Sequence, residues 1–202
     1  YNICLTLGTG IGAGIILDGH LYRGAWGGAG EIGHITVVRD GPRCNCGNRG
    51  CLEALASASA VAREGQAAAE RAPESLIWSL ADGRREAISA EVVFKAARQG
   101  DATAARAVDT AVEYLGLGVA NIINVFNLDL VVLAGGMAAA GEQVIDPVRA
   151  VVQQRARRPL AARVNIELAY LGTQAGMLGG AYLVFQAADV LPHPVHVPLR
   201  SA

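Results

Sequence analysis

Hydrophobic residues come in short runs punctuated by glycine, with strand spacing near the N-terminus and helical spacing later. Residues 3–7 are apolar except for Thr6 and stop at Gly8, which predicts a buried strand. Residues 13–17 predict a second strand. Asp18-Gly19 then favours a type I′ turn into a return strand over 20–22. A further short strand is predicted over 35–38, before the turn Asp40-Gly41-Pro42. From Leu52 the chain turns alanine-rich, with Arg63, Glu64, Glu70 and Arg71 spaced along it, and predicts a helix that stops before Pro73. Residues 76–88 read as a helical or irregular connection. Ser89 is placed to cap a helix ending at Gly100, and Asp101 to cap a long one reaching about Asn124. Along the long helix Val108, Val112, Leu115, Val119 and Ile122 recur at helical spacing. Residues 130–134 form a continuous apolar strand stopped by Gly135-Gly136, and a helix over 140–157, a strand over 164–169 and a helix over 174–188 follow. Residues 189–202, rich in proline and histidine, predict a loose tail.

Hairpins followed by strand–helix alternation predict a three-layer α/β domain with one mixed sheet, a single unit over 1–188. At 202 residues and 52% hydrophobic content the chain can bury a self-supporting core, which excludes a disordered linker. Seventeen basic and eighteen acidic side chains leave a net charge of −1, so no global basic field draws nucleic acid to this chain. No apolar run reaches the roughly 18 residues that span a bilayer, and the opening run from Tyr1 lacks the marks of a signal peptide. The expectation is that either something has been removed upstream of Tyr1 or the chain begins partway through a longer protein.

Twenty-five glycines concentrate toward the N-terminal quarter, where chemistry is expected. Gly8-Thr9-Gly10-Ile11-Gly12-Ala13-Gly14 superficially looks like a dinucleotide fingerprint, but that fingerprint must open a helix and this one runs into a strand. A glycine turn between strands still offers backbone N–H groups to phosphate oxygens. His34, Cys44, Cys46 and Cys51, spaced H-x9-C-x-C-x4-C among glycines, supply a ligand set for tetrahedral zinc. Four protein ligands make such a site structural, with no position open for water. The competing reading is a disulfide or buried thiols, which the close C-x-C spacing disfavours. Glu31 and Glu53 flank the set and either meet a polyhydroxyl ligand together with His34 or only support the metal loop and a helix start.

Leu7 to Gly14, Ala29-Gly30-Glu31-Ile32-Gly33-His34, the run from Cys44 through Cys51-Leu52-Glu53, Leu133-Ala134-Gly135-Gly136 and Leu171-Gly172-Thr173-Gln174-Ala175-Gly176 together resemble the ROK family. These are bacterial sugar kinases and sugar-responsive repressors on the actin-like ATPase (ribonuclease H-like) fold, and the resemblance spans nearly the whole chain. It implies that Gly8, Thr9, Gly10 and Gly12 form a second phosphate loop for ATP and that Gly135 and Gly136 form the adenosine-side loop. It further implies that Glu31, His34 and Glu53 bind hydroxyls of a hexose or N-acetylhexosamine. The implied cofactors are structural zinc and ATP with Mg2+, the implied assembly a dimer or tetramer, and the implied location the cytoplasm. Family kinases also carry an N-terminal lobe with a D-x-G-x-T motif and a catalytic aspartate in an N-D pair, and neither occurs in a matching position here. No catalytic residue is therefore expected in this chain, which resembles the C-terminal lobe of a glucokinase-like enzyme. Asp18, Asp40, Asp101, Asp129 and Asp146 fall at turns, caps and strand edges. A repressor's sugar-sensing domain and a zinc-stapled oligomerisation module are the competing parents.

Overall fold

The computed structural model describes residues 1–188, so the tail expected at 189–202 lies outside the described residues. Strands β1 (Asn2–Leu7) and β2 (Ile11–Leu17) pair antiparallel with Leu7 opposite Ile11, and Asp18 and Gly19 both take the positive φ that a type I′ turn needs. The return strand β3 (His20–Leu21) pairs only with Ile16 and Leu17. Strands β4 (Leu130–Ala134) and β5 (Asn165–Leu168) extend the sheet in parallel from β1, giving the order β3-β2-β1-β4-β5. The mixed five-stranded sheet and its helices match the α/β class read from the sequence.

The helices are α1 (Leu52–Ala56), α2 (Ala58–Arg71), α3 (Leu76–Leu80), α4 (Ala90–Arg98), α5 (Ala102–Phe126), α6 (Glu142–Arg155), α7 (Arg158–Ala161) and α8 (Ala175–Ala187). Asp101 caps α5 through the Ala104 amide at 2.7 Å, and Asn127 ends that helix in the left-handed conformation. Alternation along β1 sends Ile3, Leu5 and Leu7 into one core, which Val131 and Leu133 of β4 share with α5. Helices α5 and α6 pack on that same face, with Val112, Leu115, Val144 and Val148 in the core that Ile3, Leu5 and Leu7 enter. The outward positions are barer. Thr6 is exposed, and a Cβ on Gly14 would meet nothing within 4 Å. Helix α8 leaves its large apolar side chains, among them Met177 and Phe185, exposed. No described helix is long and apolar enough to cross a membrane.

Two local expectations need correction. Residues 35–38 form no strand. Thr36 makes a single bridge to Cys51, while the Val37 amide donates to the Gly50 carbonyl at 2.8 Å and the Leu52 amide to the Ile35 carbonyl at 3.0 Å. The apolar side chains that suggested a strand, Ile35 and Val37, instead anchor a loop to the core. The helix expected from Leu52 is also broken at Ser57. That residue is buried and extended, its Oγ accepts from the Ala60 amide at 3.1 Å, and the Ala58 amide turns to the Gly8 carbonyl at 2.9 Å.

Candidate functional site

Because β3 is so short, one edge of β2 is left without a strand partner at Ile11 and Ala13, and residues 30–34 lie along it. Only glycine permits this approach: a Cβ on Gly30 would stand 2.2 Å from the Ala13 oxygen, and one on Gly33 would stand 2.2 Å from the Ile11 oxygen. Ile32 is buried in the intervening 3-10 turn, Ile32–His34, which fixes Glu31 and His34 on either side of it.

His34, Cys44, Cys46 and Cys51 converge, with ligand atoms all within 4.8 Å of one another. A tetrahedral site with metal–sulfur bonds of about 2.3 Å and metal–nitrogen bonds of about 2.0–2.1 Å has sulfur–sulfur edges of about 3.8 Å and sulfur–nitrogen edges of about 3.6 Å. The observed separations are 3.7 Å for the sulfurs of Cys46 and Cys51 and 3.6 Å from the Cys44 sulfur to His34 Nδ1. All four cysteines are free, and these sulfurs stand well beyond disulfide length. The set therefore fits zinc. The Gly47 amide to the Cys44 carbonyl (3.0 Å) and the Cys44 amide to the Asn48 carbonyl (2.8 Å) close the turn that aims the sulfurs. Burial, above all, pushes the Cys51 thiol up to about 12, whereas a backbone hydrogen bond from Asn48 holds the exposed Cys46 below its ordinary value. A divalent cation is the partner that would let Cys51 ionise in place. With Nδ1 facing the sulfurs, His34 turns Nε2 toward Glu31, whose Oε2 lies 3.8 Å away.

Glu53 stands in the first turn of α1. Its Oε2 accepts from the Ile11 amide at 2.9 Å, and its Oε1 lies 3.9 Å from the Cys44 sulfur. Glu31, His34 and Glu53 face one shallow hollow of about 440 Å³, into which Thr6, Gly10 and Gly12 also open. The three expected sugar ligands are thus brought together.

The turn from Leu7 to Ile11 is narrower than the glycine pattern suggests. Gly12 belongs to β2, the Gly8 amide donates to the Gly10 carbonyl at 3.0 Å, and the Ile11 amide is taken by Glu53. Among the described residues, the Thr9 and Gly10 amides have no acceptor, so the set of free amides expected of this turn reduces to these two. Gly135 (φ 90°) tucks beneath the turn, where a Cβ would stand 2.5 Å from the Leu7 oxygen. Gly136 joins Gly8 and Thr9 in a second cleft of about 670 Å³, floored by Phe94 and Met137 and edged by Ser89, Glu91 and Arg98. Gly8 lines both the hollow and the cleft, so the two spaces meet at the turn. Sequence reasoning missed Thr6 and the contributions of α4 and of Met137. Thr6 left a signal as the polar residue inside an apolar strand, but Ser89 and Glu91 read only as a helix start. Asp18 is bonded to the Tyr1 hydroxyl at 2.6 Å, Asp129 to the N-terminal amine at 3.2 Å and Asp101 to α5, and none lines either space.

The ROK family model matches residues 2–187. Glucokinase of Halalkalibacterium halodurans is 39% identical over 185 residues, which are 91% of this chain and 56% of that protein. The xylose repressor of Caldicellulosiruptor bescii is 34% identical over 194 residues, 95% of this chain and 47% of that protein. The crystal structure of a ROK family glucokinase from Streptomyces griseus in complex with glucose and AMPPNP superposes with a TM-score of 0.82 at 37% identity, covering 90% of this chain and 59% of that one. This chain spans roughly half to three fifths of the length of the relatives it matches. With a family match over almost all of its described length and a glycine turn, Glu/His hollow and Cys3His cluster assembled in one place, the chain belongs to the ROK family.

Proposed function

We propose that this chain is the C-terminal lobe of an ATP-dependent sugar kinase, glucokinase-like, that transfers a phosphoryl group from ATP to a hexose hydroxyl. The observation that carries the reading is the meeting of the two spaces at Gly8, with the free amides of Thr9 and Gly10 between them. Phosphoryl transfer requires positioning and charge stabilisation where donor and acceptor meet. The glucokinase relatives and the Streptomyces griseus complex support this reading.

In it, Glu31 and Glu53 accept sugar O–H groups and His34 donates through Nε2, while its Nδ1 joins the three cysteines on zinc. Zinc supplies structural bracing only, because four protein donors fill it. The Thr9 and Gly10 amides hold phosphate oxygens, Gly136 gives the nucleoside room beside Phe94 and Met137, and Mg2+ accompanies ATP. Deprotonating the sugar hydroxyl needs a base, and among the described residues no aspartate faces the hollow. The base therefore comes from outside these residues, and the isolated chain is catalytically silent. In this reading the protein works in the cytoplasm, where ATP is available.

The repressor relative supports a second reading, in which the same hollow senses a sugar for a DNA-binding unit elsewhere in the protein. Assaying the whole protein that carries this chain for sugar phosphate formation from ATP and glucose decides between them. Turnover is expected. Sugar binding without phosphate transfer would overturn the kinase reading in favour of the sensor.

A further inference from the structure

We infer that Glu53 is a positioning residue for the phosphate turn: its carboxylate is the strut that fixes the Ile11 amide, and through it the metal loop sets the geometry of the nucleotide site. This deepens the kinase reading and rests on it for the identity of the ligand, though not for the strut itself.

The Ile11 N–H points away from β1, toward the edge of β2 that β3 leaves uncovered. No backbone acceptor reaches it there, and Glu53 Oε2 takes it at 2.9 Å in a charge-assisted hydrogen bond. Ile11 directly follows Gly10, one of the two amides free for phosphate. Glu53 lies two residues after Cys51 and its other oxygen lies beside the Cys44 sulfur, so the strut is anchored in the Cys3His loop. The fit on the turn side is equally tight: a Cβ on Gly10 would stand 2.3 Å from Glu53 Oε2. Gly10 is outside the left-handed region, so its lack of a side chain serves the carboxylate and not the backbone. A second link runs in parallel, from the Ala58 amide to the Gly8 carbonyl at 2.9 Å, so the turn is held at both ends by the segment that leaves the metal loop. Glu53 also faces the sugar hollow. A sugar that engages this carboxylate therefore acts on the same group that holds the phosphate turn, and the sugar and nucleotide sites share one movable part.

The test is a double-mutant cycle between Gly10→Ala and Glu53→Ala in the zinc-loaded 202-residue chain, read by hydrogen exchange at the Ile11 amide and by titration with ATP·Mg2+. Each single variant should speed Ile11 exchange and weaken ATP binding by about tenfold or more, the scale of a lost hydrogen bond to a charged group. Adding Gly10→Ala to Glu53→Ala should do little further, because the clash and the strut are one interaction. Glu53→Gln, which keeps an acceptor oxygen, should restore most of the Ile11 protection, and Glu31→Ala should leave it untouched. Additive effects of the two alanine variants, or unchanged Ile11 exchange in Glu53→Ala with zinc content intact, would overturn the strut. Absence of ATP binding by the whole protein that carries this chain would count against the kinase reading instead, and the exchange cycle would still decide the strut.

Discussion

Gly33→Ala puts a single methyl where residues 30–34 meet β2. Gly33 occupies a 3-10 turn outside the left-handed region, so alanine meets no backbone penalty there. The obstacle is steric: the new Cβ would lie 2.2 Å from the Ile11 oxygen, while favourable carbon–oxygen contacts fall at about 3.3–3.6 Å. The oxygen belongs to the backbone of a paired strand and cannot rotate aside. Relief therefore requires the 30–34 segment to retreat by about 1 Å, carrying Glu31 and His34 with it. Overpacking of this kind costs about 1–3 kcal/mol, which for a domain of this size lowers Tm by roughly 2–12 °C. A 1 Å displacement of positioning groups lowers turnover by about a hundredfold. Differential scanning calorimetry of the zinc-loaded variant measures the first effect, and glucose titration together with a turnover assay in the whole protein that carries this chain measures the second. A variant with unchanged Tm and unchanged sugar affinity would refute the argument that this contact sets the hollow.

Purified protein should carry one zinc per chain. Stripping it should loosen residues 31–53 and sugar binding together, since structural zinc is worth on the order of 10 kcal/mol, as elemental analysis and hydrogen exchange would show. Glu31→Ala should keep the metal and weaken sugar binding by about 1.5–3 kcal/mol, whereas replacing His34 should harm both, because one imidazole serves two sites. Asp101→Ala should cost about 1–2 kcal/mol in chemical denaturation, because that carboxylate accepts from the Ala104 and Leu76 amides at 2.7 Å each. Burial raises the Asp101 pKa, but these hydrogen bonds outweigh it and hold the carboxyl below its ordinary 3.8. Its contribution is therefore complete above about pH 3.8 and fades as pH falls through the lower folded value, a component of the acid limb that Asp101→Asn should remove.

Legibility in the sequence followed the range of the interactions involved. β4 matches its expected bounds because an apolar run between Asp129 and Gly135 is a local signal, and Asp101 announced α5 for the same reason. The metal set was readable because its ligands lie within eighteen residues of one another and tetrahedral chemistry admits few donor types. Residues 35–38 misled because alternating apolar side chains can anchor a loop as well as a strand. The break at Ser57 was hidden within alanines whose propensity favours continuous helix, and besides the Ser57 cap it depends on the Gly8 carbonyl, about fifty residues away. The α4 contribution to the second cleft lies some eighty residues from the turn it faces, and nothing local to Ser89 or Glu91 records that meeting.

In the proposed site His34 gives Nδ1 to the metal and leaves Nε2 to a sugar, in the same hollow that the turn carrying Thr9 and Gly10 borders. A diffraction map recorded at the zinc edge, from crystals of the protein grown with glucose, tests it most directly. The expected map has one anomalous peak about 2.3 Å from three sulfurs and about 2.0–2.1 Å from His34 Nδ1, with glucose density against Nε2, Glu31 and Glu53. A Cys46–Cys51 disulfide without metal, or glucose bound away from these three side chains, would contradict it.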